Sequence, residues 1–263
     1  MCGNGDPMSG AGRGEGKTVL VTGATSGIGR AAALALADAG WWVMATGRDD
    51  DRGQDIGRHL AHRGAGAFLA GDLTEATVPQ ALVDATVAER GRLDALVNNA
   101  GVHFLASTDA TEPERYASLM AVNVRAAFDL CRAAIPVMRD AGGGVIVNVS
   151  SEAGLVAVPG QVAYNMSKAA LIMLTKSLAV DHAADGVRAV SVCPGTTRTP
   201  LVEQAIAGAT DPAAHEQTLA SMRPANRLGR VEEIAAAIVF CCSDDVAFMT
   251  GSEVVIDGGY TAV

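Results

Sequence analysis

The sequence lacks the marks of a disulfide-bonded, metal-binding or membrane-spanning protein. Its five cysteines include no Cys-x-x-Cys pair, and an odd number of scattered thiols suits a reducing cytoplasm better than a disulfide framework. The five histidines are scattered too, and His59 and His62, three positions apart, are most simply a solvated helix face. No apolar run reaches the length of a membrane helix. We therefore expect a soluble, cytoplasmic protein that binds no metal.

Basic residues are also scarce. The chain has 20 Lys and Arg against 29 Asp and Glu, which gives a net charge of −9 and a pI near 5.0. Such a chain offers no electrostatic surface for nucleic acid or an anionic membrane. Residues 1–16 are rich in glycine and lack the apolar segment of a signal peptide, so we expect them to be a disordered leader.

What the chain has is a regular alternation of strand and helix signals. With 263 residues and 49% hydrophobic content it can bury one large core. We predict a single α/β domain over residues 17–263, with a doubly wound parallel sheet of about seven strands and helices on both faces. The predicted strands are Thr18 to Thr22, Trp42 to Thr46, Ala67 to Ala70, Leu93 to Val97, Val145 to Val149, Val187 to Cys193 and Glu253 to Ile256.

A glycine-rich loop follows the first strand and opens a helix. Gly23 allows a tight turn, Gly27 allows the backbone to approach a pyrophosphate, and Gly29 allows the helix to pack closely on the strand. The spacing is Gly-x-x-x-Gly-x-Gly. A plain turn could carry these glycines, but the strand and helix around them favour a nucleotide site.

The end of the second strand bears on the choice of cofactor. NAD-dependent proteins of this architecture usually carry an acidic residue there, which binds the ribose 2′-hydroxyl. This chain has Gly47 and Arg48 instead, and an arginine can clamp a 2′-phosphate, so we expect NADP(H) rather than NAD(H). The alternative is a solvated Arg48 paired with one of the acids at 49–51.

Two further motifs follow predicted strands. Asp72-Leu73 follows the third strand, and Asn98-Asn99-Ala100-Gly101 follows the fourth. Ligands of open α/β sheets bind beyond the carboxyl ends of the strands. The small residues of the second motif would let a flat ring lie on the backbone.

Tyr164 and Lys168 are four positions apart on a predicted helix that begins near Gln161, which places them on one face. A nearby ammonium can lower the pKa of a phenol, so the pair could exchange a proton with an alcohol or ketone. Ser151 follows a predicted strand and could hydrogen-bond the same substrate oxygen. Taken alone, Tyr-x-x-x-Lys is common and most often a half-buried ring beside a lysine stem.

Together these motifs resemble the short-chain dehydrogenase/reductase family, in its branch of single-domain oxidoreductases with a Rossmann-like fold. The resemblance runs from about Lys17 to the C-terminus and includes Asn123 and Pro194-Gly195-x-x-x-Thr199. It implies that Tyr164 is the general acid/base, that Lys168 lowers its pKa and holds the nicotinamide ribose, that Ser151 polarises the substrate oxygen, and that Asn123 holds a water of a proton relay. The other cofactor-binding residues that it implies are Gly23, Thr25, Ser26, Gly27, Ile28, Gly29, Arg48, Asp72, Leu73, Asn99, Ala100, Gly101, Pro194, Gly195 and Thr199.

The roles of two of these residues have structural alternatives. Asn123 could be a polar residue that kinks a helix, and Thr199 could cap the helix that follows it. The resemblance also implies a mobile substrate lid at about residues 196–227. Its apolar residues Leu201, Val202, Ile206, Leu219 and Met222 could line the substrate pocket or pack on the body of the protein, and His103 and Gln161 could also reach the pocket.

The predicted helix from Pro113 to Asp140 carries Arg125, Arg132 and Arg139 on one stripe. In similar proteins this helix and the next build a subunit contact, so we expect a homotetramer, or a homodimer, with some of these arginines near the interface.

The function that the sequence favours is reversible hydride transfer between a nicotinamide cofactor and a small-molecule ketone or secondary alcohol. A 3-oxoacyl thioester or polyketide ketone is the first expectation for the substrate. A sugar, polyol or cyclic alcohol is the alternative, and the acidic net charge disfavours an acidic carrier-protein partner. A hypothesis of another class is a nucleotide-binding regulator without catalytic activity.

Overall fold

A seven-stranded sheet, parallel throughout, forms the centre of the protein in the computed structural model, which describes residues 14–263. The strand order is β3-β2-β1-β4-β5-β6-β9. The strands are β1 (Thr18–Thr22), β2 (Trp42–Gly47), β3 (Gly66–Ala70), β4 (Ala95–Asn98), β5 (Gly144–Val149), β6 (Val187–Pro194) and β9 (Glu253–Ile256), while β7 (Thr197–Arg198) and β8 (Gly229–Arg230) form a separate two-stranded ladder. The predicted fold class is confirmed.

The helices cover both faces of the sheet. They are α1 (Gly27–Asp38), α2 (Asp50–His62), α3 (Val78–Arg90), α4 (Pro113–Met120), α5 (Ala126–Asp140), α6 (Val162–Asp181), α7 (Pro200–Ala207), α8 (Pro212–Ser221) and α9 (Val231–Cys242). None of the helices within residues 14–263 is long and apolar enough to cross a membrane.

The core lies in two layers, one on each face of the sheet. Val19 and Val21 of β1 belong to the layer beneath α1 and α9, whereas Leu20 belongs to the layer beneath α3 and α5. Successive side chains of a strand point to opposite faces, and here both faces are covered. Because side chains on both faces are buried, the strands appear in the sequence as continuous apolar runs. Burial of each such side chain contributes about 1.5–3 kcal/mol to the stability of the fold.

The strand order reverses between β1 and β4. β2 and β3 lie on one side of this pair and β5, β6 and β9 on the other, so the crossovers diverge there and leave a crevice at the carboxyl ends of β1 and β4. The glycine loop and the Asn98-to-Gly101 motif both lie at this point.

The segment predicted as one helix from Pro113 to Asp140 is interrupted. A π-helical turn, Ala121–Arg125, separates α4 from α5, and the Ala126 N–H donates to the Ala121 carbonyl. Arg125 and Arg132 both lie near the buried Asp129, at 2.9 and 3.6 Å, while Arg139 pairs with Asp140. The expected arginine stripe is therefore engaged with acids of its own helix.

Most of the predicted leader, residues 1–13, lies outside the described residues. Its last part, from Gly14 to Gly16, forms a turn. The Gly14 N–H donates to the Ala39 carbonyl at 3.0 Å, and a Cβ at this position would lie 2.1 Å from the Trp41 ring. This turn is packed against the domain.

Candidate active site

The glycine loop between β1 and α1 has the shape of an anion cradle. Gly23 and Gly27 have φ values of 62° and 54°, a region that favours glycine. A Cβ on Gly29 would lie 2.3 Å from both the Gly23 carbonyl oxygen and Asn99 Nδ2. Ser26 is the N-cap residue of α1, but its side chain makes no capping hydrogen bond, and the first turn of the helix contains no acid. The N–H groups there are oriented to receive a phosphate, so the residues present fit a dinucleotide.

The end of β4 is joined to this loop. Asn99 Nδ2 donates to the Thr22 carbonyl at 2.9 Å, and the N–H groups of Asn99 and Ala100 both donate to Thr22 Oγ1 at 3.0 Å. Predicted cofactor residues from two separate motifs thus form one continuous surface at the switch point of the sheet.

The ends of β2 and β3 lie side by side. Arg48 Nη1 is 3.9 Å from Asp72 Oδ2, and the Arg48 side chain is 63% exposed. Asp49 caps α2 and pairs with Arg52 instead, so it does not neutralise Arg48. A Cβ on Gly47 would lie 2.7 Å from Thr25 Cγ2. Thr25 therefore occupies the space next to Gly47.

Asp72 and Leu73 are held by their own neighbours. The Asp72 carboxylate accepts hydrogen bonds from the Thr74 N–H and hydroxyl, and these lower its pKa. Leu73 packs on the core beneath α3 and α5.

Ser151, Tyr164 and Lys168 come together at the carboxyl end of β5. Tyr164 and Lys168 lie one turn apart on α6, and Lys168 Nζ is 5.6 Å from the centre of the Tyr164 ring. Lys168 is buried and donates to the Val149 carbonyl at 2.8 Å. Ser151 Oγ accepts from the Ala153 N–H at 3.1 Å, and Ser151 lies close enough to the Tyr164 hydroxyl to lower its pKa. The three predicted catalytic groups therefore share one site.

The expected direction of the Tyr164 pKa is reversed. Burial raises the pKa of Tyr164 to about 12, against a lowering effect of its hydrogen bond with Ser151, and the Glu152 charge raises it further. Burial also lowers the pKa of Lys168 to about 8. Desolvation disfavours the charged form of both groups, and it outweighs the attraction that the sequence suggested. At neutral pH Tyr164 is a protonated phenol and hence a proton donor.

Asn123, in the π-helical turn, is buried and fixes the loop after β4. Its Oδ1 accepts from the Val102 N–H at 2.8 Å, and its Nδ2 donates to the Val102 carbonyl at 2.9 Å and to Ser167 Oγ at 3.0 Å. A Cβ on Gly101 would lie 3.4 Å from Asn123 Oδ1 and 3.6 Å from Lys168 Nζ. Asn123 and Lys168 thus both flank Gly101, while the role of Asn123 in a water relay stays a prediction.

His103 and Gln161, which the sequence suggested could reach the substrate pocket, lie beside the Tyr164 side chain. The edge of the His103 ring meets the Tyr164 ring at 4.8 Å between centroids. His103 and Gln161 are joined by a hydrogen bond of 2.5 Å between Nε2 and Oε1. This pair gives the site a polar flank next to the proton donor.

The loop after β6 approaches the glycine loop. Thr199 caps α7 by accepting from the Val202 N–H, and a Cβ on Gly27 would lie 3.3 Å from its Cγ2. The capping alternative is therefore observed, and the position of Thr199 beside Gly27 agrees with the cofactor role that the resemblance implies. Pro194 ends β6, and the Gly195 N–H donates to the Ile256 carbonyl at 2.9 Å.

The apolar residues predicted to lie in a lid differ in burial. Ile206 is 8% exposed, whereas Leu201 and Met222 are 58% and 41% exposed. Sequence reasoning missed a further feature of this region, a buried ion pair between Glu152 and Arg223. The only signal for it was an acidic residue directly after Ser151.

Comparison with known proteins agrees with this geometry. A family model described as enoyl-(acyl carrier protein) reductase matches residues 23–261. An uncharacterized oxidoreductase of Thermotoga maritima is 43% identical over 250 residues, which are 95% of this chain and 99% of the relative. A cyclopentanol dehydrogenase of Comamonas sp. is 39% identical over 252 residues, covering 95% and 99% of the two chains.

Solved structures give the same result. The crystal structure of a gluconate 5-dehydrogenase from Burkholderia cenocepacia, in complex with NADP and tartrate, superposes with a TM-score of 0.88 at 32% identity and covers 95% of this chain and 96% of that one. Matches of this extent, together with a site that holds Ser151, Tyr164 and Lys168, establish that the chain belongs to the short-chain dehydrogenase/reductase family of nicotinamide-dependent oxidoreductases, which act on CH–OH and C=O groups.

Proposed function

We propose that this enzyme interconverts a small polyhydroxylated or cyclic secondary alcohol and its ketone. The observation that carries the proposal is the polar His103–Gln161 pair against the ring of Tyr164. A substrate that places its reacting oxygen on Tyr164 brings its neighbouring carbons to this pair. A second hydroxyl there would find hydrogen-bond partners in the remaining polar atoms of the pair, His103 Nδ1 and Gln161 Nε2. An alkyl or thioester chain would cover these atoms without pairing them, which is costly.

The reacting groups have separate tasks. Tyr164 gives its proton to the substrate oxygen in reduction and takes it back in oxidation. Ser151, which lies close enough to the phenol to lower its pKa, holds the developing negative charge on that oxygen. A bound nicotinamide dinucleotide, held by the glycine loop, the Asn99-to-Gly101 segment and the loop after β6, supplies or accepts the hydride.

The sequence placed a 3-oxoacyl thioester or polyketide ketone first, and the site favours the alternative that it placed second. The cyclopentanol and gluconate enzymes to which the chain is similar also have names that specify small alcohols. Enoyl reduction, which the description of the family model names, is not part of the proposal because Tyr164 and Lys168 are only four positions apart.

For the cofactor we propose NADP(H), with NAD(H) as the alternative. Arg48 is exposed at the end of β2, and the position before it is a glycine. A guanidinium there can bind a 2′-phosphate through two parallel hydrogen bonds. The structural relative that holds NADP has the same fold.

For the assembly we propose a homotetramer, with a homodimer as the alternative. Met120, Val124, Phe128 and Leu174 line an open groove of about 490 Å³, and Phe128 is 51% exposed. The groove continues across α4, α5 and α6, the helices that the family resemblance assigns to a subunit contact, so its proposed occupant is a second copy of this chain.

For the location we propose the cytoplasm. The free, buried thiols of Cys131, Cys193, Cys241 and Cys242 support this proposal.

The test is a panel of polyols, cyclic alcohols and their ketones, with 3-oxoacyl thioesters as the competing class, each assayed with NADPH/NADP⁺ and NADH/NAD⁺. We expect turnover with polyols or cyclic alcohols. Tyr164→Phe should lower kcat about 10²- to 10⁴-fold while cofactor binding persists, and Tyr116→Phe is the matched control. Turnover of thioesters alone would contradict the substrate class, and unchanged turnover by Tyr164→Phe would contradict the mechanism. A wild type that binds the cofactor but turns over no substrate would favour the regulator hypothesis.

A further inference from the structure

The turn that carries Ser151 rests on a buried ion pair. Glu152 Oε1 lies 2.7 Å from Arg223 Nη2, and the two side chains are only 8% and 3% exposed. Burial raises the pKa of Glu152, and the charge and hydrogen bond of Arg223 oppose that rise. The proposed chemistry makes no direct use of either residue.

Arg223 contacts four separate segments of the chain. Besides Glu152, its Nη2 donates to Thr196 Oγ1 at 2.6 Å. Its Nη1 donates to the Leu219 carbonyl in α8, and its guanidinium lies 5.3 Å from the centre of the Tyr260 ring. One side chain thereby joins the serine turn, the loop after β6, the end of α8 and the C-terminal turn.

The surroundings of the pair are closely packed but not fully paired. A Cβ on Gly195 would lie 2.6 Å from Glu152 Oε2 and 2.7 Å from Asp257 Cα. Glu152 Oε2 and Arg223 Nε are buried and have no hydrogen-bond partner. Replacing a buried ion pair by apolar residues of similar size is often neutral or stabilising. Stability is therefore a weak reason for this pair, and its placement next to Ser151 offers a better one.

We propose that Glu152 and Arg223 are positioning residues, which fix the Ser151 turn relative to the Thr196 loop and α8 and thereby hold the Ser151 hydroxyl in register with Tyr164. The inference rests on the proposed function, because its readout is turnover. Glu152 transmits the position of α8 to Ser151 directly, since the two residues are adjacent in the chain and Ser151 Oγ already accepts the Ala153 N–H of the same turn.

The test separates positioning from folding. Glu152→Gln keeps the shape and removes the charge, Arg223→Lys keeps the charge but loses the planar fork, and the double variant Glu152→Leu/Arg223→Met replaces the pair by apolar residues. Glu233→Gln is the control, because it breaks a more exposed ion pair with Arg227 in the neighbouring segment. Each variant is assayed for kcat, KM, cofactor dissociation constant and Tm.

We expect the double variant to keep its Tm and its cofactor affinity and to lose kcat about tenfold or more, since small misplacements of reacting groups have effects of this size. Glu152→Gln should lose kcat in the same way, Arg223→Lys should lose less, and Glu233→Gln should match the wild type. A folded double variant, or a folded Glu152→Gln, that turns over at the wild-type kcat would overturn the inference alone. An inactive wild type would overturn the proposed function and this inference with it.

Discussion

Arg48 is the residue on which the choice of cofactor depends. Its side chain is exposed beside Asp72, and Thr25 fills the space next to Gly47. We predict that Arg48→Ala raises the KM for NADPH about 10- to 100-fold, the effect of losing one or two charged hydrogen bonds, and leaves the KM for NADH unchanged. Arg58→Ala, which removes an exposed arginine of α2 that pairs with Asp55, is the control. Equal effects of Arg48→Ala on both cofactors would argue against a 2′-phosphate contact.

Lys168 couples stability to pH. Burial lowers its pKa from the ordinary 10.5 to about 8. Below about pH 8 the folded state contains a buried charge that lowers its stability, and this destabilisation is lost as the pH rises from about 8 toward 10.5. The unfolding free energy of the wild type, measured relative to Lys168→Met, should therefore increase by about 3 kcal/mol from about pH 7 to about pH 10.5.

Denaturant titrations across this pH range measure that difference. The titration of Tyr164 is common to both proteins and cancels to first order. Lys176→Met, a change of a more exposed lysine on the same helix, reports the general effect of losing a lysine. A difference that stays constant with pH would show that Lys168 titrates normally.

At the scale of the elements, the π-helical turn places Asn123 where a regular helix would not. Three hydrogen bonds join the Asn123 side chain to Val102 and Ser167. Asn123→Asp keeps the acceptor but turns the donor into a second acceptor, which then faces the Val102 carbonyl. We expect a loss of about 1–3 kcal/mol in the free energy of unfolding and a higher substrate KM, because Val102 precedes His103.

Chemical denaturation and steady-state kinetics check both effects. Asn226→Asp, at an exposed loop position, is the control for an added charge. A variant as stable as the wild type would mean that Asn123 does not hold the loop after β4.

The strands of the large sheet could be predicted from the sequence, because a strand that is buried on both faces appears as a short apolar run. β1 and β9 were predicted at their observed bounds, and the other strands to within two residues at either end. A kink at Asn123 was one of the alternatives, but the π-helical turn Ala121–Arg125 was not predictable, because Ala-Val-Asn-Val-Arg reads as ordinary helix and the turn is favoured by contacts with Val102.

The candidate site likewise contains residues that the sequence could predict and residues that it could not. Tyr164, Lys168 and the glycines were found because their spacing within one element has chemical meaning. The Glu152–Arg223 pair joins residues 71 positions apart, and no local pattern links them. The sign of the Tyr164 pKa was wrong because the sequence shows the neighbouring charge but not the extent of burial.

For the whole molecule, the open groove around Phe128 makes assembly testable. Phe128→Glu puts a charge into the apolar centre of the proposed contact, where an unpaired charge is expensive. We predict that the wild type has the mass of a tetramer, or of a dimer, in light scattering and that this variant has a smaller mass. Leu69→Glu, on the edge strand β3, should keep the wild-type mass. A monomeric wild type would contradict the proposal.

The pairing of β9 with β6 protects the sheet on that side. Ser191 to Pro194 pair with Glu253 to Ile256, and β9 is the outermost strand of the sheet. Without β9, the buried strand β6 would present a row of unpaired N–H and C=O groups, which is a template for pairing with another chain. A variant shortened so that it lacks β9 is therefore expected to aggregate.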